Sequence, residues 1–446
     1  MNIANLITRL QETTCANTLD SNREKLLAVM RSIELLKVNA VGVLQTFSSL
    51  PSASSSLGKL YFIQAEESLY YSTGNVWIPV YEPTSAIAYT WGANFCGVLG
   101  DNSSVSKASP VVVVGGFTDW RQVSAGGLHA VGVRENGTLW AWGRNVYTGQ
   151  LGDGTTIGRS SPVSVVGGFT DWCQASAGIT HTLAVRKNGS MWAWGCGACG
   201  ELGNATACVG ALSRTSPVSI GSGITDWCDV SLGYSLAHAL RPDGNIWAWG
   251  SMGTIVTATT CGAVPAVLNG GFTDWCRVST GNQFGIGIRS GGTLWSWGSN
   301  NYGRLGDGTT TTRSSPVSVV GGFTDWCQIS AGCDHILAIR TNCTLWGWGR
   351  NNSGRIGDGS LTNRSSPVSV VGGFTDWCQA SAGMCHGLAI RTNGTLWAWG
   401  SNCCGRLGDG TTTSRLSPVS VVGGFTDWCQ ASAGSAHSAA IRTNGT

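Results

Sequence analysis

The sequence predicts an all-β fold, a seven-bladed β-propeller of four-stranded blades behind a small N-terminal helical and β-meander segment. Three observations predict it. Trp-Gly recurs at Trp91, Trp142, Trp194, Trp249, Trp297, Trp348 and Trp399. Thr-Asp-Trp recurs in step, with its tryptophan at 120, 172, 227, 275, 326, 377 and 428. Both series have seven members at a period of about 51 residues, the sequence signature of a repeat architecture. Finally, each end of the repeat region carries what the other lacks.

One unit, from Leu294, reads LWSWGSNNYGRLGDGTTTTRSSPVSVVGGFTDWCQISAGCDHILAIRTNC. Leu-Trp-x-Trp is its first strand. Pro-Val-Ser-Val-Val is the second, ending at Gly-Gly. Trp-Cys-Gln-x-Ser is the third, ending at Ala-Gly. His-x-Leu-Ala-Ile-Arg is the fourth, and it reaches the next Leu-Trp-x-Trp through Asn-Gly, a strong hairpin signal. Apolar residues occupy both faces of these strands, as blades sandwiched between neighbours require. In Trp172–Ala177, simple alternation sets Cys173 and the alanines on one face and Trp172 on the other.

The last unit stops at Thr446 without its Leu-Trp-x-Trp strand, and the first opens with the orphan Ala88-Tyr89-Thr90-Trp91-Gly92. Joining them removes an open sheet edge. Residues 87–91 are therefore expected to pair beside Ala439 to Arg442, giving a propeller over 86–446.

The string Trp-Gly-x-Asn-x-x-Gly-x-Leu-Gly-Asp-Gly, followed by Ser-Pro-Val and Ser-Ala-Gly-x-x-His, resembles the RCC1 repeat. Its clearest copies are 297–308, 348–359 and 399–410. The resemblance implies a seven-bladed propeller closed by a shared blade. Some members of that family are nucleotide-exchange factors and others are binding scaffolds. No non-repeat insertion long enough for an exchange wedge is seen, so only the fold is carried over. The third unit departs from the pattern, with Asn204 for Asp. The fourth, from Gly250, loses Leu-Gly-Asp-Gly. Leu236 and Phe284 replace the repeat histidine. An asymmetric functional surface is expected in that sector.

Composition narrows the function classes. Charged residues are 11 % and the net charge is +3, without a basic stripe, so neither nucleic acid nor an anionic membrane is an expected partner. No apolar stretch is long enough for a transmembrane helix, and no secretory signal peptide is seen. Six of the 17 cysteines, Cys173, Cys228, Cys276, Cys327, Cys378 and Cys429, follow the motif tryptophan. They read as one small buried residue per blade rather than a disulfide framework.

The recurring polar residues read as structure. Asp119, Asp171, Asp226, Asp274, Asp325, Asp376 and Asp427 match Arg134, Arg186, Arg241, Arg289, Arg340, Arg391 and Arg442 one to one. Pairing or turn capping is favoured over a charged ring for an anionic ligand. His129, His181, His335, His386 and His437 share one repeat position and do not converge as metal ligands must. The tryptophans read as wedges between blades rather than as sugar platforms. Cys196-x-x-Cys199 and Cys403-Cys404 are the close cysteine clusters, and a single Cys-x-x-Cys is a weak zinc signal. No catalytic constellation, cofactor or metal site is expected, because near-identical repeats do not bring different groups to one point.

Residues 1–49 carry a heptad seam, with Leu19, Leu26, Ile33 and Ala40 seven apart and Asn22, Val29, Leu36 and Val43 three beyond each. It suits a helix packed on the propeller or a short oligomeric stalk. Residues 50–85 hold a Ser-rich linker and a three-stranded meander, similar to small modules of bacteriophage tail fibres and other virion proteins.

Two functions follow as expectations. In the first, the chain is a non-enzymatic virion structural or host-attachment protein. It is a candidate homotrimer, held to other virion proteins through residues 1–85, and meets a host-surface protein or glycan with a propeller face. In the alternative it is a soluble, cytoplasmic RCC1-type protein-binding scaffold or regulator.

Overall fold

The computed structural model describes residues 41–44, 60–63, 68–72 and 77–79, and then 85–443 except 205–212, 222, 252–261 and 269. The chain divides into two compact units, one over residues 18–85 and one that includes 86–446.

The smaller unit is a four-stranded sheet in chain order: β1 (Val41–Leu44), β2 (Leu60–Ile63), β3 (Ser68–Ser72) and β4 (Trp77–Pro79). β2 to β4 form the antiparallel meander expected from the turn residues between them. β1 joins as a parallel fourth strand, Val41 opposite Leu60 and Leu44 opposite Ile63. Val43, the last position of the heptad seam, is thus in a strand. The rest of the seam lies outside the described residues.

The larger unit is seven four-stranded antiparallel sheets. The first blade is β7 (Trp120–Ala125), β8 (His129–Arg134), β9 (Leu139–Gly143) and β10 (Arg159–Ser164), paired in that order. Each blade therefore starts two strands later than the sequence unit. Trp-Cys-Gln-x-Ser-Ala is its first strand and Ser-Pro-Val-Ser its last. The seventh blade is composite. Trp428–Ala433 and His437–Arg442 pair with β5 (Ile87–Gly92) and β6 (Lys107–Val112). The register sets Arg442 opposite Ile87, Ala439 opposite Thr90 and His437 opposite Gly92.

The first strands do not alternate simply. The register slips by one residue between Trp172 and Gln174, and the same slip follows Trp120, Trp275, Trp326, Trp377 and Trp428. A bulge inserts one residue and resets the parity of all that follows. Trp172 consequently shares a core cluster with Ala175 and Ala177, contrary to simple alternation. The bulge residue is Arg121 in the first blade and the repeat cysteine in the other five. The repeat cysteine is not buried: Cys228 and Cys276 are exposed and Cys173, Cys327, Cys378 and Cys429 half-buried. Each points its thiol at the backbone, as Cys327 Sγ does at Ile339 O, 3.3 Å away.

The core lies between blades. One cluster joins Val131, Val133, Leu139 and Leu151 of the first blade to Trp172, Ala175, Ala184 and Trp194 of the second. The Trp-Gly tryptophans are the centre of each interface, and all seven are fully buried. A buried tryptophan removes roughly 200 Å² from water, about 5 kcal/mol at 25 cal/mol/Å² before conformational costs. The indole N–H of Trp194 donates to Gln150 O (2.9 Å), of Trp348 to Arg304 O (3.1 Å) and of Trp399 to Arg355 O (3.0 Å), each in the preceding blade. The Leu-Gly glycine of that blade lies flat on the ring: a Cβ on Gly306 would stand 2.6 Å from Trp348 Nε1, and one on Gly408 2.7 Å from Trp91 Nε1.

Candidate functional site: the variable face of the propeller

The two ends of each blade differ in kind. At one end lie the Gly-Gly-Phe-Thr-Asp-Trp segments, unchanged in every unit but the third, and the turns of Asn-Gly-Thr type, which vary as Asn188-Gly-Ser, Asp243-Gly-Asn, Gly291-Gly-Thr and Asn342-Cys-Thr. The predicted Asp and Arg series meets there, within each blade. Arg134 pairs with Asp119 (2.7 Å), Arg186 with Asp171 (2.7 Å), Arg241 with Asp226 (2.8 Å) and Arg289 with Asp274 (2.8 Å). Arg340 pairs with Asp325 (2.8 Å), Arg391 with Asp376 (2.8 Å) and Arg442 with Asp427 (2.7 Å). Six of these guanidinium groups also lie over the motif phenylalanine, Arg442 as close as 3.5 Å from the Phe425 ring centroid. Each cation is satisfied by its own blade, so this end carries no ring of free charge.

At the other end stand two loops per blade: the short turn Ala-Gly-x-x-His and the long loop after Trp-Gly. A backbone hydrogen bond stitches them together in all seven blades. Examples are Arg144 N to Leu128 O (2.8 Å), Arg350 N to Asp334 O (2.8 Å) and Ala93 N to Ala436 O (2.9 Å). Both loops have a fixed framework. The short turns ring the axis, and their glycines admit no side chain. A Cβ on Gly126 would lie 2.4 Å from Gly178 O, and one on Gly332 2.3 Å from Gly383 O. They surround a small axial cavity, about 80 Å³, lined largely by Ala and Gly. The long loop is tied by its asparagine and aspartate. Asn351 Nδ2 donates to Asp358 Oδ1 (2.9 Å), Asn351 Oδ1 accepts from Ile356 N (3.0 Å), and Arg364 Nε donates to Asp358 Oδ2 (2.8 Å). The same set recurs at Asn300 with Asp307 and at Asn402 with Asp409. This Asn–Asp knot was not singled out from sequence, although the signal was there: in the third unit both change together, to Gly197 and Asn204.

On that framework the variable positions differ in every blade. The pair in the short turn is Gly127-Leu128, Ile179-Thr180, Tyr234-Ser235, Asn282-Gln283, Cys333-Asp334, Met384-Cys385 and Ser435-Ala436. No pair recurs. In the long loop the variable pair is Phe95-Cys96, Ala198-Cys199, Asn301-Tyr302, Asn352-Ser353 and Cys403-Cys404 in five blades, and Val146-Tyr147-Thr148 in the first. Several of these are large and exposed: Tyr147 (83 %), Phe95 (69 %), Tyr302 (41 %) and Tyr234 (39 %). Exposed aromatics in an otherwise Ser/Thr/Gly-rich surface are the residue types that carry binding energy at protein interfaces.

Beneath the glycine ring lie the repeat histidines, all fully buried. His129 Nε2 sits 3.0 Å from Thr182 Oγ1 and His386 Nε2 3.0 Å from Ser438 Oγ, each hydroxyl belonging to the next blade. Burial, with the neighbouring His181 and His437, lowers His129 to about 3, and burial lowers His181 to about 4. They are neutral core groups, one in each of five blades, and do not converge. Leu236 and Phe284 fill the equivalent positions, fully buried.

The irregular sector has its own solution. The Leu-Gly-Asp-Gly segment missing from the fourth unit falls largely outside the described residues. The tryptophan that would rest on it, Trp297, instead donates to Nε2 of His238 (3.1 Å). His238 Nδ1 lies 2.9 Å from Thr280 Oγ1. His238 is a sixth buried histidine, outside the repeat position, and single-site pattern reading did not find its role. In the same sector Asp229 and Arg277 replace the inner-strand glutamine of the other blades. Burial pushes the Asp229 carboxyl up, against the Gln174 amide that donates to it at 3.0 Å.

Comparison with known proteins agrees with this architecture. Two models of the regulator of chromosome condensation (RCC1) repeat match, one at 136–185, 291–339, 344–390 and 393–441, the other at 120–148, 172–201, 275–304 and 377–406. Together they span 120–201, 275–339 and 344–441, more than half of the chain. The ultraviolet-B receptor UVR8 of Arabidopsis thaliana is 28 % identical over 347 residues, 76 % of this chain and 66 % of the receptor. The human E3 ubiquitin-protein ligase HERC2 is 26 % identical over 307 residues, 68 % of this chain and 5 % of the ligase. The chain thus spans less than two thirds of each relative's length. Among solved structures, human WBSCR16 superposes with a TM-score of 0.73 at 17 % identity, covering 81 % of this chain and 100 % of that one. Yeast RCC1 (Prp20) gives 0.70 at 17 % identity, covering 81 % and 90 %. At such identity these structures speak for the fold alone. With the repeat models, the seven sheets and the shared closing blade in agreement, the chain belongs to the RCC1-repeat family of seven-bladed β-propellers.

Proposed function

We propose that this chain is a non-enzymatic protein-binding scaffold that meets its partner with the variable face. One observation carries the reading: within near-identical repeats, the residues free to differ are gathered at one end of the blades, and no inner pair is used twice. A surface that only had to close the fold would repeat there as the Gly-Gly-Phe-Thr-Asp-Trp segment does at the opposite end. Seven blades with seven different inner pairs form a contact surface that distinguishes one orientation of a partner from the other six. The exposed Tyr147, Phe95, Tyr302 and Tyr234 are the anchors such a contact would use. The relatives named above, a receptor of a plant and a ligase of human cells, support the scaffold reading over the virion one.

The test is a comparison of faces. Tyr147→Ser and Phe95→Ser together, and separately Asn136→Ala and Asn393→Ala on the opposite face, are compared with the unaltered chain in quantitative cross-linking from the source cells. A partner lost at least tenfold by the first pair and kept by the second supports the reading. Equal retention by all three chains overturns it.

A further inference from the structure

We propose that Cys403, on the variable face of the sixth blade, is a thiolate site for covalent modification. It exchanges with a small-molecule disulfide to form a lasting mixed disulfide, with Arg406 as its counter-ion. The inference does not depend on the identity of a protein partner.

Three of the described free cysteines are exposed: Cys228, Cys276 and Cys403. The first two present their sulfur to a backbone carbonyl, Leu240 O and Ile288 O, each 3.3 Å away. A carbonyl accepts and does not donate, so these are S–H groups. Cys403 has the reverse polarity. Nη2 of Arg406 donates to its sulfur at 2.7 Å, and the Cys404 thiol is oriented towards it at 3.8 Å. The sulfur is an acceptor from both sides, which is the environment of a thiolate.

Arg406 supplies the second observation. It is 6 % exposed, its Nη1 donates to Ser435 O (2.8 Å), and its Nε has no hydrogen-bond partner. No carboxylate lies within ion-pair distance of it among the described residues. Of the two equivalent arginines, Arg304 is neutralised by Asp334 at 2.9 Å, and Arg355, also buried, donates to Asn352 Oδ1 at 2.8 Å, the position that Cys403 takes in the sixth blade. A buried guanidinium needs acceptors for its N–H groups, and in the sixth blade the sulfur of Cys403 is the side-chain acceptor in place, one that can carry the answering negative charge where Asn352 cannot. The blades that also carry a cysteine in this loop lack the cation: Val98 follows Cys96 and Glu201 follows Cys199 where Arg406 follows Cys404. Partial burial pushes the Cys403 thiol up, but the Arg406 charge and the hydrogen bonds outweigh it, and the thiol is lowered from its ordinary value. Burial and the nearby aspartates push Cys228 the other way, up to about 11.

The chemistry is thiol–disulfide exchange. The Cys403 sulfur attacks one sulfur of R–S–S–R, a new S–S bond forms, the old one breaks, and RS⁻ leaves and takes a proton from water. Cys404 is poorly placed to resolve the product. Adjacent Cα atoms across a trans peptide are about 3.8 Å apart, short of the roughly 4.4 Å at which ordinary disulfides begin. The mixed disulfide therefore persists.

The test uses the full chain with oxidised glutathione at pH 7, quenched in time and read by peptide mass spectrometry. The expected result is a glutathionyl adduct at Cys403 at least about threefold faster than at Cys228 or Cys276, because its larger thiolate fraction outweighs its lower intrinsic nucleophilicity. Arg406→Gln is expected to bring Cys403 within twofold of them. Because Arg406 is buried, the pH profile of Cys403 alkylation by iodoacetamide in the unaltered chain is a second measure, with a midpoint below the ordinary thiol value of about 8.5. Equal rates at the three cysteines, a midpoint at or above that value, or a Cys403–Cys404 disulfide as the main product would each overturn the proposal.

Discussion

The amide N–H of Ala125 donates to the hydroxyl oxygen of Ser432 at 2.9 Å, although 307 residues separate them. It is one rung of a ring. Ser124 accepts from Ala177, Ser176 from Leu232, Ser231 from Thr280, Ser279 from Ala331, Ser330 from Ala382 and Ser381 from Ala433, at 2.9–3.2 Å. The inner strands of neighbouring blades are therefore tied by a hydroxyl where no sheet ladder connects them. The rung from Ala125 to Ser432 fastens the last blade to the first, and that last blade is complete only because β5 has joined it.

The first prediction concerns this closure. Deleting residues 86–92 removes β5 and leaves the fully buried strand His437–Arg442 with an unpaired edge. Such an edge is a template for aggregation. The deletion variant is expected to lose its sharp thermal transition and to elute as aggregate in size-exclusion chromatography. A monomer with unchanged melting temperature would refute the composite blade.

Two glycines with nearly the same backbone separate conformational strain from packing. Gly306 has φ +68° and Gly322 φ +67°. An added Cβ at Gly322 meets nothing within 4 Å, whereas at Gly306 it strikes Trp348. Gly322→Ala is expected to cost about 1–2 kcal/mol, the left-handed penalty for an L residue. Gly306→Ala is expected to cost more than about 3 kcal/mol, because the neighbouring blade must also move. Urea unfolding of the two variants measures the difference.

The repeat ion pairs should matter less than their number suggests. The Arg391 and Asp376 side chains are 20 % and 32 % exposed. Solvent screening limits such a pair, so Asp376→Asn is expected to cost less than about 1 kcal/mol. Arg391→Ala also removes the guanidinium stacked 4.1 Å from the Phe374 centroid. Its cost is expected to reach about 2 kcal/mol, because cation–π contact and the packing of the arginine stem are lost together. Chemical denaturation of both variants tests the ranking.

The buried histidines set the pH dependence. Burial, helped by Arg406, lowers His437 to about 3, and burial alone lowers His238 to about 3. His335 and His386 also lie well below the ordinary value, again chiefly through burial. In the unfolded chain these imidazoles protonate near pH 6.5, and in the folded chain only well below that, near 3 for His437 and His238. The unfolded state thus binds more protons in between, and stability falls as pH drops from about 6.5 towards 4, by up to about 1.4 kcal/mol per pH unit for each histidine. Melting temperatures should be flat above pH 7 and decline steeply below 6. A flat profile down to pH 4.5 would contradict neutral buried histidines.

What the sequence determined by itself was everything that repetition makes visible. The period, the four strands per unit, the orphan strand at Ala88–Gly92 and the one-to-one Asp and Arg series are all legible in the residues, because each is a local pattern or a count. Three features were decided only by tertiary structure. The bulge after Trp172 turned Ala175 and Ala177 to the face of Trp172 and left Cys173 half-buried against the next interblade cluster, because inserting one residue in a ladder resets every later side chain. His238 took the place of a missing loop carbonyl under Trp297, because a buried indole N–H needs an acceptor from whatever residue lies within reach. The free positions Tyr147 and Tyr234 lie 87 residues apart in the chain yet share one face. Antiparallel pairing brings the first and third loops of every blade to the same end, and the closed ring turns seven such ends into a single surface.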